Sequence, residues 1–152
     1  KKNMSYCINP KCLQPQNSDQ EKYCHSCGFS LLLHNRYRPL QPIEKGGFGR
    51  TFLARDESRP SHPHCVIKEF DFSEKNASYN HAVKLFNQEA VRLDCLGEHP
   101  QIPRLLAYFE EHQLLLLVQE YIPGKTLLQE LEQDGLFDDL KFGRYYEIYY
   151  QS

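Results

Sequence analysis

Residues 44–52 read EKGGFGRTF. The glycines Gly46, Gly47 and Gly49 lie between two strand-like runs, Arg38–Glu44 and Arg50–Arg55, so the stretch predicts a β-hairpin closed by a glycine-rich turn. Such a turn has two uses. It can let backbone amides approach an anion and cradle a phosphate, or it can simply reverse the chain. In a G-x-G-x-x-G frame the first glycine falls on Glu44, so the string is one glycine short. The choice rests on what stands at fixed distances from it.

Three features lie downstream. After a loop with two prolines at 57–64, residues 65–70 (CVIKEF) predict a third strand. Alternation puts Val66, Lys68 and Phe70 on one face, and a lysine between apolar neighbours is costly to bury unless it meets an anion. The plainer alternative is an edge lysine reaching to water. Next, Val83, Phe86, Ala90 and Leu93 recur at helical spacing within Asn80–Leu96, with Gly97 ending the helix. Glu89 falls at the edge of that apolar face, where an inward carboxylate wants a cation such as Lys68 and an outward one is merely solvated. Last come two strands, Arg104–Glu110 and Leu114–Tyr121, joined by a turn at Glu111–Gln113 and broken by Pro123-Gly124. Main-chain groups at such a break could bond the edge of a planar base, or it is an ordinary strand end. Leu127–Gln133 predicts a short amphipathic helix.

Residues 5–34 form a separate unit with Cys7, Cys12, Cys24 and Cys27 in C-x4-C and C-x2-C pairs. Two short turns can each supply two thiolates, giving a closed tetrahedral site that suits structural Zn2+. Gly28 follows the last cysteine and can take the positive φ such a knuckle needs, while Asn9-Pro10 tightens the longer first turn. His25 and His34 are possible substitute ligands. Loose reduced thiols are the alternative. About thirty residues hold too small a core to fold alone, so metal binding would supply their folding free energy.

The whole chain has 152 residues, a net charge of −2 and ordinary globular composition. That balance gives no pull toward nucleic acid or a membrane surface. The longest apolar run, Leu114–Val118, is strand-sized and far short of the roughly 18 residues of a membrane span. No secretory pattern opens the sequence, so a cytoplasmic location with reduced thiols is expected.

Taken together, KGGFGRTFLARD, CVIKEF, the helix glutamate and the EYI hinge resemble, in order and spacing, the N-terminal lobe of a protein kinase. With the four-cysteine prefix, the chain resembles the serine/threonine kinases of cyanobacteria. The resemblance implies an α+β fold: a five-stranded antiparallel sheet plus one long helix over 37–135, preceded by a small zinc-ribbon-like unit at 5–34. It implies that Gly46, Gly47, Phe48 and Gly49 arch over ATP phosphates, and that Lys68 holds the α- and β-phosphates and pairs with Glu89. Val66 would pack on adenine, Gln119 would be the gatekeeper, and Glu120 and Ile122 would offer backbone groups to the base. Glu44 and Thr51, where the family usually has Gly and Val, are departures that would weaken nucleotide binding.

Neither an H-R-D-x-x-x-x-N loop nor a D-F-G motif occurs in these residues, so the catalytic base and the Mg2+ ligands of the full-length family are missing from them. Residues 136–152 read as a divergent tail, with Phe142, Tyr145, Tyr146, Tyr149 and Tyr150 at helical spacing, and a premature stop or frameshift near residue 138 is expected. The expectation is a truncated kinase, inactive alone, that binds ATP weakly. The rival is a zinc-ribbon module that contacts a protein partner, with the lobe as scaffold; a decayed gene is the third possibility.

Overall fold

The computed structural model describes residues 4–46, 49–70, 79–96 and 103–122. Gly47, Phe48, Gly97, Pro123-Gly124, the 127–133 helix and the 136–152 tail lie outside the described residues. Two strands, β1 (Met4–Tyr6) and β2 (Gln16–Ser18), pair as a small antiparallel hairpin. There follow β3 (Tyr37–Gly46), β4 (Gly49–Asp56), β5 (His64–Phe70), α1 (Tyr79–Leu96), β6 (Leu105–Glu111) and β7 (Leu114–Glu120). The last five strands form one antiparallel sheet in the order β3-β4-β5-β7-β6. This is the fold class expected from the sequence.

Local chemistry explains the edges. Pro39 and Pro42 both lie in β3, where no outer neighbour needs their missing N–H, and the β3–β4 register shifts beside each of them. The β6–β7 turn is tighter than expected. Only His112 and Gln113 are left between the strands, both at positive φ (52° and 66°). Two consecutive left-handed residues suit the twist of a two-residue hairpin, although asparagine and glycine are the usual occupants.

Strand β7 settles how the layers are arranged. An antiparallel strand with one wet face alternates, as β6 does, between half-buried and exposed positions. In β7 every residue from Leu114 to Gln119 is buried, so both faces are covered. On one face Leu115, Leu117 and Gln119 sit opposite Phe70, Lys68 and Val66 of β5. Helix α1 lies on that side, with the Phe86 ring 5.5 Å from Phe70 and 5.9 Å from Tyr108. On the other face Leu114, Leu116 and Val118 join Phe52, Ala54, Cys65 and Ile67, and the cover is the cysteine prefix, through Ile8 and Leu33. Burial pushes the Cys65 thiol up to about 12, as befits a core residue with no chemical role.

Arginines stitch the seam. Buried Arg38 donates to the Glu57 carboxylate (2.6 Å), the Glu21 carbonyl (2.6 Å) and Ser5 Oγ (3.3 Å). Arg36 grips Asp56 through two nitrogens (3.2 and 2.6 Å), and that guanidinium lowers the Asp56 carboxyl to about 2. The His34 amide reaches the Glu111 carboxylate (2.9 Å), and its ring stacks on Phe109 at 4.6 Å. A buried guanidinium is tolerated only when its donors are matched, and the Glu57 carboxylate, the Glu21 carbonyl and Ser5 Oγ serve those of Arg38.

Because Ile8 is completely buried in a core shared with the sheet, Ile8→Ala is expected to destabilise the whole fold by about 2–5 kcal/mol. Urea unfolding followed by a prefix probe and a sheet probe should shift together. Two separate transitions, with the sheet transition unmoved, would show that the prefix is an independent appendage.

Candidate metal centre and nucleotide cleft

The two cysteine pairs converge. The sulfurs of Cys7, Cys12, Cys24 and Cys27 all lie within 4.8 Å of one another, and all four thiols are free. Cys7 and Cys27 are 3.5 Å apart and Cys12 and Cys24 are 3.7 Å apart. A tetrahedron with metal–sulfur bonds of about 2.3 Å has sulfur edges of about 3.8 Å, so this cluster can hold one metal ion.

The turns that deliver the sulfurs are explicable. Gly28 takes φ +78°, its amide donates to the Cys24 carbonyl (2.9 Å), and the Cys24 amide donates to Phe29 (2.8 Å). In the first turn the Asn9 side chain accepts from the Lys11 amide (3.1 Å) while its carbonyl accepts from the Cys12 amide (3.0 Å). The asparagine therefore closes the longer C-x4-C loop. Neither histidine belongs to the cluster: the His25 ring is bonded to Asn17 Oδ1 (2.6 Å), and His34 is stacked over β6.

Asn17 went unnoticed in the sequence. Buried in β2, it donates to Cys24 Sγ (3.4 Å) and the Pro15 carbonyl (3.0 Å) and accepts from the His25 amide (2.9 Å). Burial alone would raise the Cys24 thiol. Bonds from Asn17 and from the amides of Cys27 and Ser26 overcome it and bring it down to about 6. Burial wins at Cys7, which is raised. One asparagine in a polar stretch carries no periodic signal, so only the fold exposes its role.

The second site lies on the α1 side of the sheet. Gly46 and Gly49 are cross-strand partners at the hairpin end of β3 and β4. Lys68 is centred on β5 between Thr51 of β4 and Leu117 of β7, with its ammonium 5.7 Å from the Phe70 ring centroid. Val66 pairs with buried Gln119 two residues along. The Phe70–Phe86 contact brings α1 over this strand, and Glu89 is half-buried on the next turn beside Ala90. At the end of β7 the Glu120 amide donates to the Arg104 carbonyl (3.0 Å) and its carboxylate accepts from the Arg104 amide (2.8 Å). That clasp fixes the strand just before half-buried Ile122. Of the departures, Thr51 is directly across from Lys68, and Glu44 lies within β3.

A glycine hairpin, a central lysine strand and an overlying helix with an acidic residue are the arrangement of the N-terminal lobe of a protein kinase, here covered by a four-cysteine, zinc-ribbon-like unit. No family model matches the chain. It is 43% identical over 137 residues to serine/threonine-protein kinase B of Synechocystis sp., covering 90% of this chain and 24% of that one. It is 48% identical over 108 residues to serine/threonine-protein kinase C of Synechocystis sp., covering 70% of this chain and 20% of that one. With PknA of Nostoc sp. it shares 40% over 110 residues, 71% of this chain and 20% of that kinase. The chain is thus similar to one part of serine/threonine protein kinases of cyanobacteria, and its 152 residues span about a quarter or less of the length of these curated relatives. Among the described residues, no helix is long and apolar enough to cross a membrane.

Groups that orient a metal's ligands commonly contribute 10–100-fold to affinity. With Zn2+ offered to the four-cysteine cluster, Asn17→Ala should therefore bind it more weakly than wild type by about that factor, with all four thiols retained, as read by competition with a chromogenic chelator. An unchanged affinity would leave Asn17 a purely structural residue.

Proposed function

We propose that this chain supplies the ATP-binding part of a serine/threonine kinase and that its cysteine centre holds a structural Zn2+. The observation that carries the nucleotide reading is Lys68, set in mid-sheet beside the glycine hairpin and under the helix that bears Glu89. A lysine there is suited to the α- and β-phosphates, with Glu89 orienting it. The glycine string 46–49, with Phe48, would cover the phosphates. Val66, Gln119, Glu120 and Ile122 would frame the adenine, the last two by backbone groups.

For the metal, four clustered thiolates favour zinc and leave no open coordination position, so the ion would fold the prefix rather than react. The prefix serves the sheet before any outside partner: Ile8 and Leu33 are already committed to the shared core. Exposed Leu13 and Tyr23 are single side chains of an ordinary surface kind.

Transfer of the γ-phosphoryl group to a Ser or Thr hydroxyl is the parent reaction. It needs a base and Mg2+ ligands, and residues 1–152 contain neither motif that provides them. These residues tested alone should bind MgATP weakly and phosphorylate nothing. By calorimetric titration, Lys68→Ala should lower MgATP affinity about tenfold or more with the melting temperature unchanged, roughly the 1.5–3 kcal/mol of a charge-assisted bond. Equal affinity in the two proteins would remove Lys68 from the site. Lysine-dependent phosphorylation of a protein by residues 1–152 would overturn the inactive reading.

A further inference from the structure

Arg50 directly follows the last glycine of the hairpin and pairs across it with Lys45. Its side chain leaves the nucleotide side and crosses the outer face of the sheet. Nε donates to Glu69 Oε2 at 2.6 Å, Nη2 donates to the Ile8 carbonyl at 2.5 Å, and the guanidinium carbon is 5.1 Å from the Phe52 ring centroid. Both partners are informative. Ile8 is the residue after the metal ligand Cys7, and Glu69, buried, is the residue after Lys68.

We propose that Arg50 is a positioning residue that couples the four-cysteine centre to the glycine hairpin and the lysine strand. The path is short: the Cys7 turn, the Ile8 carbonyl, the Arg50 fork, the Glu69 carboxylate, and then the backbone that carries Lys68. With metal bound, the Cys7 turn is fixed and the Ile8 carbonyl holds one prong of the fork. The other prong neutralises Glu69, whose buried charge needs a partner. Without metal the carbonyl is no longer held, the guanidinium loses one of its two fixed acceptors, and its hold on Glu69 slackens. The β4 start and the β5 end then loosen together. Only a planar fork serves both acceptors at once, so lysine is a poor substitute. Arg55 also bridges prefix and sheet, through the Asp19 carbonyl (3.4 Å), but it lies toward the opposite end of β4 and provides a control.

The test uses the 152-residue chain, loaded with Zn2+ or stripped by a chelator, as wild type, Arg50→Met, Arg50→Lys, Glu69→Gln and Arg55→Met. Amide hydrogen exchange at residues 50–53 and 67–69 reads the relay without nucleotide. Beyond any loss shared by the whole sheet through the common core, chelation should speed exchange there about tenfold in wild type and Arg55→Met. In Arg50→Met, Arg50→Lys and Glu69→Gln, exchange should be fast already and chelation should add little. Glu69→Gln keeps the shape of the side chain, so it decides the matter if Arg50→Met does not fold. A chelation effect of the same size in every variant, or an equal loss of protection throughout the sheet, overturns the relay.

A second arm rests on the nucleotide reading above, with the Mg2+ complex of adenylyl imidodiphosphate as probe. Zn2+ should tighten its binding about five- to tenfold in wild type and not in Arg50→Met. By linkage, the probe should tighten Zn2+ by the same factor. Probe affinity independent of Zn2+ in wild type overturns the coupling to the cleft. No probe binding at all, with the exchange result as expected, removes the nucleotide reading and leaves the relay standing.

Discussion

The sheet has two apolar faces, and both must be kept from water. In β7, Leu114, Leu116 and Val118 point one way and Leu115 and Leu117 the other, all buried. A single helix can cover only one side. The second cover has to come from elsewhere in the chain, and the cysteine prefix provides it. Its own size makes the arrangement mutual: a unit of about thirty residues buries too little to stand alone, and a sheet with a bare apolar face invites association. Each part supplies what the other lacks.

This dependence explains where the charges went. The seam contains Arg36, Arg38, Arg50 and Arg55, and each meets a carboxylate. Arg38, Arg50 and Arg55 also take a prefix main-chain carbonyl. Prefix turns have many carbonyls that strands cannot satisfy. Guanidinium forks can reach them across a sheet edge while remaining paired. Arginine therefore serves as an adaptor between an irregular cysteine-rich unit and a regular sheet, which a purely apolar interface would leave with orphaned acceptors.

Much of this was legible in the sequence because it is periodic or punctuated. The hairpin, the three later strands and α1 came within one or two residues of their observed limits, since alternation, helical spacing and turn residues mark them. The cysteine spacing picked out the four thiols that the fold brings together. What the sequence did not reveal was the docking of prefix on sheet, which is a long-range pairing between segments each readable alone. One clue was present: LLLLV does not alternate, unlike the neighbouring LLAYFEE. An antiparallel strand without alternation has to be covered twice. Asn17 and Arg50 gave no such clue, because an isolated polar residue acquires its role only from what the fold places beside it. The His112-Gln113 turn was blurred for a related reason, having no glycine or asparagine to mark its left-handed backbone.

Strand β5 is where the two halves of the molecule meet in one backbone. Toward the prefix it presents Cys65, Ile67 and Glu69; toward α1 it presents Val66, Lys68 and Phe70. Two residues of opposite charge thus stand side by side in sequence and on opposite faces, both near the glycine hairpin. Neither can be satisfied by the other, because the pleat points them apart. Glu69 is matched from the prefix side by Arg50. Lys68 faces the side where the glycine strands and α1 converge. A shift of one residue in β5 register would exchange the two charges and leave each facing the wrong chemistry. The same pairing that holds the core thus also fixes which side of the sheet the lysine faces.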